Sequence, residues 1–108
     1  MTKVTVYKNK SGGTVGFKCT DHAGFARYGR DIVCAAVSAL VLNTINSIER
    51  FTEDAFEGEQ DEKNAVITFR LKDGYSKEAV LLLDSLVLGL TSIAEDNRKY
   101  ISITFEEV

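Results

Sequence analysis

The chain has 108 residues, a net charge of −3, and 44% hydrophobic against 27% charged residues, the balance of one soluble globular domain over residues 1–108. Its acidity and the lack of a basic stripe argue against nucleic acid as a partner. No apolar run reaches the ~18 residues that a membrane span needs. The polar, alternating start from Met1 to Lys10 reads as neither a signal peptide nor a basic presequence, and two cysteines without an export signal predict reduced thiols in the cytoplasm.

Lys3 to Lys8 alternates, with Val4 and Val6 on one side, and predicts a strand. Asn9 to Gly13 is a turn, because glycine and asparagine reach positive φ cheaply. Thr14 to Thr20 alternates again, with Val15, Phe17 and Cys19 on one face, so the two strands predict a hairpin. Asp21 to Arg30 reads as a loop that Gly24 and Gly29 make adaptable.

Asp31 is a good N-cap residue, and a helix from about Ile32 to Phe51 follows. Val33, Val37, Leu40, Ile48 and Phe51 mark one apolar stripe; Cys34, Ser38, Val41 and Ile45 mark a second beside it. The run from Glu53 to Glu62 is acidic and reads as a loop or an edge strand around Phe56. Asn64 to Leu71 alternates as a strand, and Lys72-Asp73-Gly74 is a turn. Ser76 caps a second helix from about Lys77 to Glu95, in which Gly89 suggests close approach of another backbone. Tyr100 to Phe105 is a last strand, with Ile101, Ile103 and Phe105 inward.

This order predicts an α+β two-layer sandwich, a mainly antiparallel sheet with two helices on one face. The helices carry more apolar surface than one sheet covers, and a homodimer is the simplest way to bury the excess.

The chemistry concentrates between His22 and Ser38, which hold the only histidine and one of two cysteines. If Asp31 is the N-cap, Cys34 is the third helical residue, near free backbone N–H groups and the positive end of the helix dipole. Both favour the thiolate, the reactive form of a cysteine. His22 can serve as general base and then acid, and the same N–H groups can hold an oxyanion. Asp31 either caps the helix or orients the imidazole. Ser38, four residues after Cys34, is placed to bond the sulfur or its own helix backbone.

Two blander readings stand beside this one. Cys34 can be a buried structural thiol. Cys19, His22 and Cys34, with Asp21 or Asp31, are residue types that zinc accepts, but only one ligand pair has metal-site spacing and Cys19 fits the inward face of a strand, so no metal and no other cofactor is expected. The acidic run reads as a solvated segment or as a patch that attracts a basic partner.

His22-Ala23, Tyr28-Gly29 and the run Asp31-Ile32-Val33-Cys34-Ala35-Ala36-Val37-Ser38 resemble the signature of the ribosomal-processing cysteine protease family Prp. The length and the ββα to βαβ order are similar too. The resemblance implies a homodimeric cytoplasmic cysteine endopeptidase that removes a short N-terminal extension from the large-subunit ribosomal protein L-twenty-seven, cutting after an aromatic residue. It places the nucleophile on Cys34, the base on His22 and the motif aspartate and serine on Asp31 and Ser38. It makes Ala23, Gly24, Phe25, Tyr28 and Gly29 part of a substrate-covering loop. One position departs from the family, which has glycine before the histidine where this chain has Asp21. The alternative is a non-catalytic ribosome-associated binding module with a structural thiol.

Overall fold

The computed structural model describes residues 1–21 and 28–108. In chain order it contains β1 (Thr2–Lys8), β2 (Thr14–Asp21), α1 (Tyr28–Phe51), β3 (Phe56–Asp61), β4 (Val66–Leu71), α2 (Lys77–Asp96) and β5 (Ile101–Glu107). The five strands form one sheet in the order β3-β4-β2-β1-β5. Every neighbouring pair is antiparallel except β1 with β5. The expected α+β sandwich is what forms, and the acidic run supplies an edge strand rather than a loop.

Register explains the core. Val4 lies opposite Cys19, which lies opposite Ile67; Val6 lies opposite Phe17, which lies opposite Phe69. These rows share one sheet face, because side chains alternate along each strand. Both helices cover that face, with Val33, Val37, Val41 and Ile48 from α1 and Ala79, Leu83, Leu86 and Leu90 from α2 buried in the same core. Phe69 anchors the sheet between two rings, 5.6 Å from Phe17 and 4.7 Å from Phe56. The second contact ties edge strand β3 to the core. A Cβ on Gly16 would fall 2.5 Å from the Phe69 carbonyl oxygen, so the close β2–β4 pairing needs glycine there.

Several expectations are corrected. Helix α1 starts at Tyr28 rather than Ile32, because the added turn contributes hydrogen bonds that outweigh the ~1 kcal/mol cost of helical Gly29. Phe51 is 75% exposed, since the helix end runs past the sheet. Phe105 is also exposed, near the end of outer strand β5. The neighbour of Gly89 is the Leu40 side chain, 2.9 Å from where a Cβ would sit, so the glycine admits a side chain and not a second backbone. By mean hydropathy, 1.6, the helical segment Ile32–Phe51 is long and apolar enough to cross a bilayer. This corrects the expectation that no apolar run is long enough to span, and in this fold the segment lays its Val33, Val37, Val41 and Ile48 row on the sheet.

Candidate active site

Thr2 opens β1 opposite Asp21, the last residue of β2, and beside Ile101 of β5. Its backbone N–H donates to the Tyr100 carbonyl at 2.8 Å, which fixes the strand start. It follows the Val4 and Val6 alternation, so its side chain faces the helices and is buried. Helix α1 passes over this end of the sheet and sets Cys34 Sγ 3.7 Å from Thr2 Oγ1, a hydrogen bond in which either group can donate.

A cleft of about 330 Å³ opens beside this pair. Cys34, Val37 and Ser38 form the helix wall, and Thr2 and Cys19 line the sheet side. The opposite wall is the β3–β4 hairpin tip, with Gln60, Asp61, Glu62, Ala65 and Ile67. Cys34 is partly exposed while Cys19 is buried, so Cys34 is the more accessible of the two thiols on the cleft.

The hairpin tip is held by its own polar contacts. Asp61 Oδ1 accepts from the Asn64 backbone N–H at 3.1 Å, and Oδ2 accepts from Asn64 Nδ2 at 2.7 Å. The Asn64 side-chain bond, with the backbone bond behind it, holds the Asp61 carboxyl below its ordinary value. Ala65 completes the turn with φ +53°, left-handed backbone that costs a non-glycine residue roughly 1–2 kcal/mol. The rim therefore carries carboxylates over an apolar and thiol floor.

The expected site residues divide into three groups. Cys34 and Ser38 share the cleft, one helical turn apart. His22, Ala23, Gly24 and Phe25 lie outside the described residues. Tyr28, Gly29 and Asp31 fall in the first turn of α1, which corrects two expectations. Tyr28 and Gly29 are helical rather than loop, and Asp31 is inside the helix rather than its N-cap. Cys34 is then the seventh residue of α1, beyond the four free N–H groups of a helix start. Cys34 is therefore not one of the first-turn residues whose free N–H groups the sequence pattern assigned to it, and its sulfur shares with the Thr2 hydroxyl a hydrogen bond in which either group can donate.

Thr2, Gln60 and Asp61 are site residues that the sequence reading missed. A signal for Thr2 existed, a polar residue in register with Val4 and Val6. Gln60 likewise continues the alternation from Phe56, but only the sheet order brings β3 to the cleft.

An α+β sandwich with a half-open thiol at the junction of a helix and a hairpin tip has the form of a cysteine peptidase. The model of the family described as cysteine protease Prp matches residues 1–102. The chain belongs to that family, whose members are hydrolases. It is 28% identical over 110 residues to the ribosomal processing cysteine protease Prp of Bacillus subtilis, covering 96% of each chain. It is 27% identical over 106 residues to that of Staphylococcus aureus, covering 98% of this chain and 100% of the relative. Among solved structures, the S. aureus Prp in complex with a substrate peptide superposes with a TM-score of 0.90 at 26% identity, over 98% of this chain and 100% of that one. SMU.848 of Streptococcus mutans gives 0.86 at 28% identity, over 100% and 96%.

Proposed function

We propose that this protein is a cysteine endopeptidase with Cys34 as nucleophile and His22 as general base, and that it removes the N-terminal extension of the large-subunit ribosomal protein L-twenty-seven. The observation that carries the reading is the placement of Cys34, partly exposed in a cleft open to a peptide, beside the Thr2 hydroxyl. When the sulfur is ionised, that hydroxyl donates to it. Strand β2 ends at Asp21, opposite Thr2, and His22 follows in sequence. In the reaction Cys34 attacks the scissile carbonyl, His22 protonates the leaving amine, and water releases the acyl group. The S. aureus relative, solved with a substrate peptide, supports a peptide as the substrate class. Ser38, on the same cleft wall, and Asp31 support the site, and the chain from Ala23 to Gly29 contributes to peptide contact.

The protein works in the cytoplasm, where both cysteines remain thiols, as a homodimer. Leu42 of α1 and Leu81 and Leu88 of α2 are exposed on helices whose other faces cover the sheet. An apolar outer helix layer of this kind supports pairing with a second copy.

The test is cleavage of a peptide spanning the extension junction. Cys34→Ser and Cys34→Ala abolish cleavage and Cys19→Ser retains it; a Cys34→Ala variant as active as wild type would refute the assignment.

A further inference from the structure

The apolar part of the Cys34 cleft is made by few residues. Cys19 and Ile67 are register partners on β2 and β4, so their side chains share the helix-facing side of the sheet. Val37 of α1 belongs to the same core, and all three line the cleft. On the hairpin side, Gln60, Asp61 and Glu62 are exposed and polar, whereas Ala65 is half-buried. Ala65 is thus the apolar residue that the β3–β4 turn sets against the cleft.

The backbone of Ala65 is one that glycine suits better. Its φ of +53° lies in the left-handed region, where a Cβ crowds the following carbonyl oxygen. The two Asp61–Asn64 bonds hold the turn just before it, and that geometry accounts for the backbone without calling for a methyl group. What the methyl group adds is bulk in the cleft wall. The cleft holds about 330 Å³, at the small end of the roughly 300–1,000 Å³ of ligand pockets. Attack by Cys34 needs the scissile carbonyl close to Sγ, so a side chain beside that carbonyl must enter this space. An apolar one suits it, because a polar one would lose water over Cys19, Val37 and Ile67 without gaining a partner there.

We infer that Ala65 is a specificity-determining residue: its bulk sets the size of the apolar side chain that the cleft accepts beside the scissile bond. The inference rests on the peptidase reading above and names the wall that limits its substrate.

The test is kcat/KM for two series of junction peptides, each with Ala, Leu, Phe or Trp at one of the residues flanking the scissile bond. Ala65→Gly relieves the left-handed strain and opens the wall. In at least one series it raises the ratio of the Trp to the Ala peptide about threefold or more, and Ala65→Leu, which fills the wall, lowers that ratio about tenfold or more. Should Ala65→Leu fail to fold, Ala65→Asn takes its place, being larger than alanine and tolerant of left-handed backbone, and lowers the ratio likewise. A role confined to the turn changes kcat/KM by one common factor for every peptide. That result in either the glycine variant or the enlarged one overturns the inference and leaves the peptidase reading in place. A wild-type protein that cleaves no peptide of either series overturns both.

Discussion

Thr2 Oγ1 stands 3.7 Å from Cys34 Sγ, joining the first residue of the sheet to the seventh of the helix that crosses it. The contact pairs a buried hydroxyl of the sheet with the partly exposed thiol of the helix. Thr2→Val keeps the shape and removes the hydroxyl. It lowers the rate of Cys34 alkylation by iodoacetamide at neutral pH several-fold, as expected for loss of one hydrogen bond to a charged group. An unchanged alkylation rate in the folded variant assigns Thr2 a packing role only.

Gly16 and Gly89 respond oppositely to alanine. At Gly16 the new Cβ meets the Phe69 carbonyl oxygen at 2.5 Å, and a backbone atom in a paired strand cannot give way. Gly16→Ala is expected to cost about 2–3 kcal/mol in denaturant unfolding. At Gly89 the neighbour is the end of the Leu40 side chain, which can rotate, and helix propensity gains roughly 1 kcal/mol. Gly89→Ala therefore falls within about 1 kcal/mol of wild type.

Asp61 makes the hairpin tip sensitive to acid. Its carboxyl, held below the ordinary 3.8 by Asn64, prefers to be charged in the folded state. The stabilisation is fully present above the unfolded value and is lost as pH falls through the lower folded value. Asn64→Ala removes it, so the stability difference between wild type and Asn64→Ala is expected to shrink as pH is taken below 3.8. A pH series of urea midpoints reads this directly.

The outer helix layer gives a test of assembly. Leu88 is 71% exposed, and Leu88→Glu places a charge on the apolar surface without entering the core. Sedimentation equilibrium is expected to show a dimer for wild type and a monomer for the variant, with the fold retained by circular dichroism. A monomeric wild type refutes the dimer.

Alternation and helical spacing along the chain were enough to determine the strands, both helices and most of the core. Val4, Val6, Phe17 and Cys19 had to lie on one face because side chains alternate, and Leu83, Leu86 and Leu90 on one helix stripe because the period is 3.6. The proposed partnership of Cys34 with His22 rests on a pattern of residue types, and His22 lies outside the described residues. Where α1 begins was not legible, because the first turn depends on hydrogen bonds weighed against a glycine, a balance too small for local propensity to decide. Nor could alternation place β3. Its six residues alternate equally well at any sheet edge, and only the order β3-β4-β2-β1-β5 sets Gln60 and Asp61 across the cleft from Cys34. Thr2 and Cys34 are 32 positions apart in the chain, and no local rule joins them. Local periodicity determined which residues turn inward, and the long-range register of the sheet decided which of them meet at the thiol.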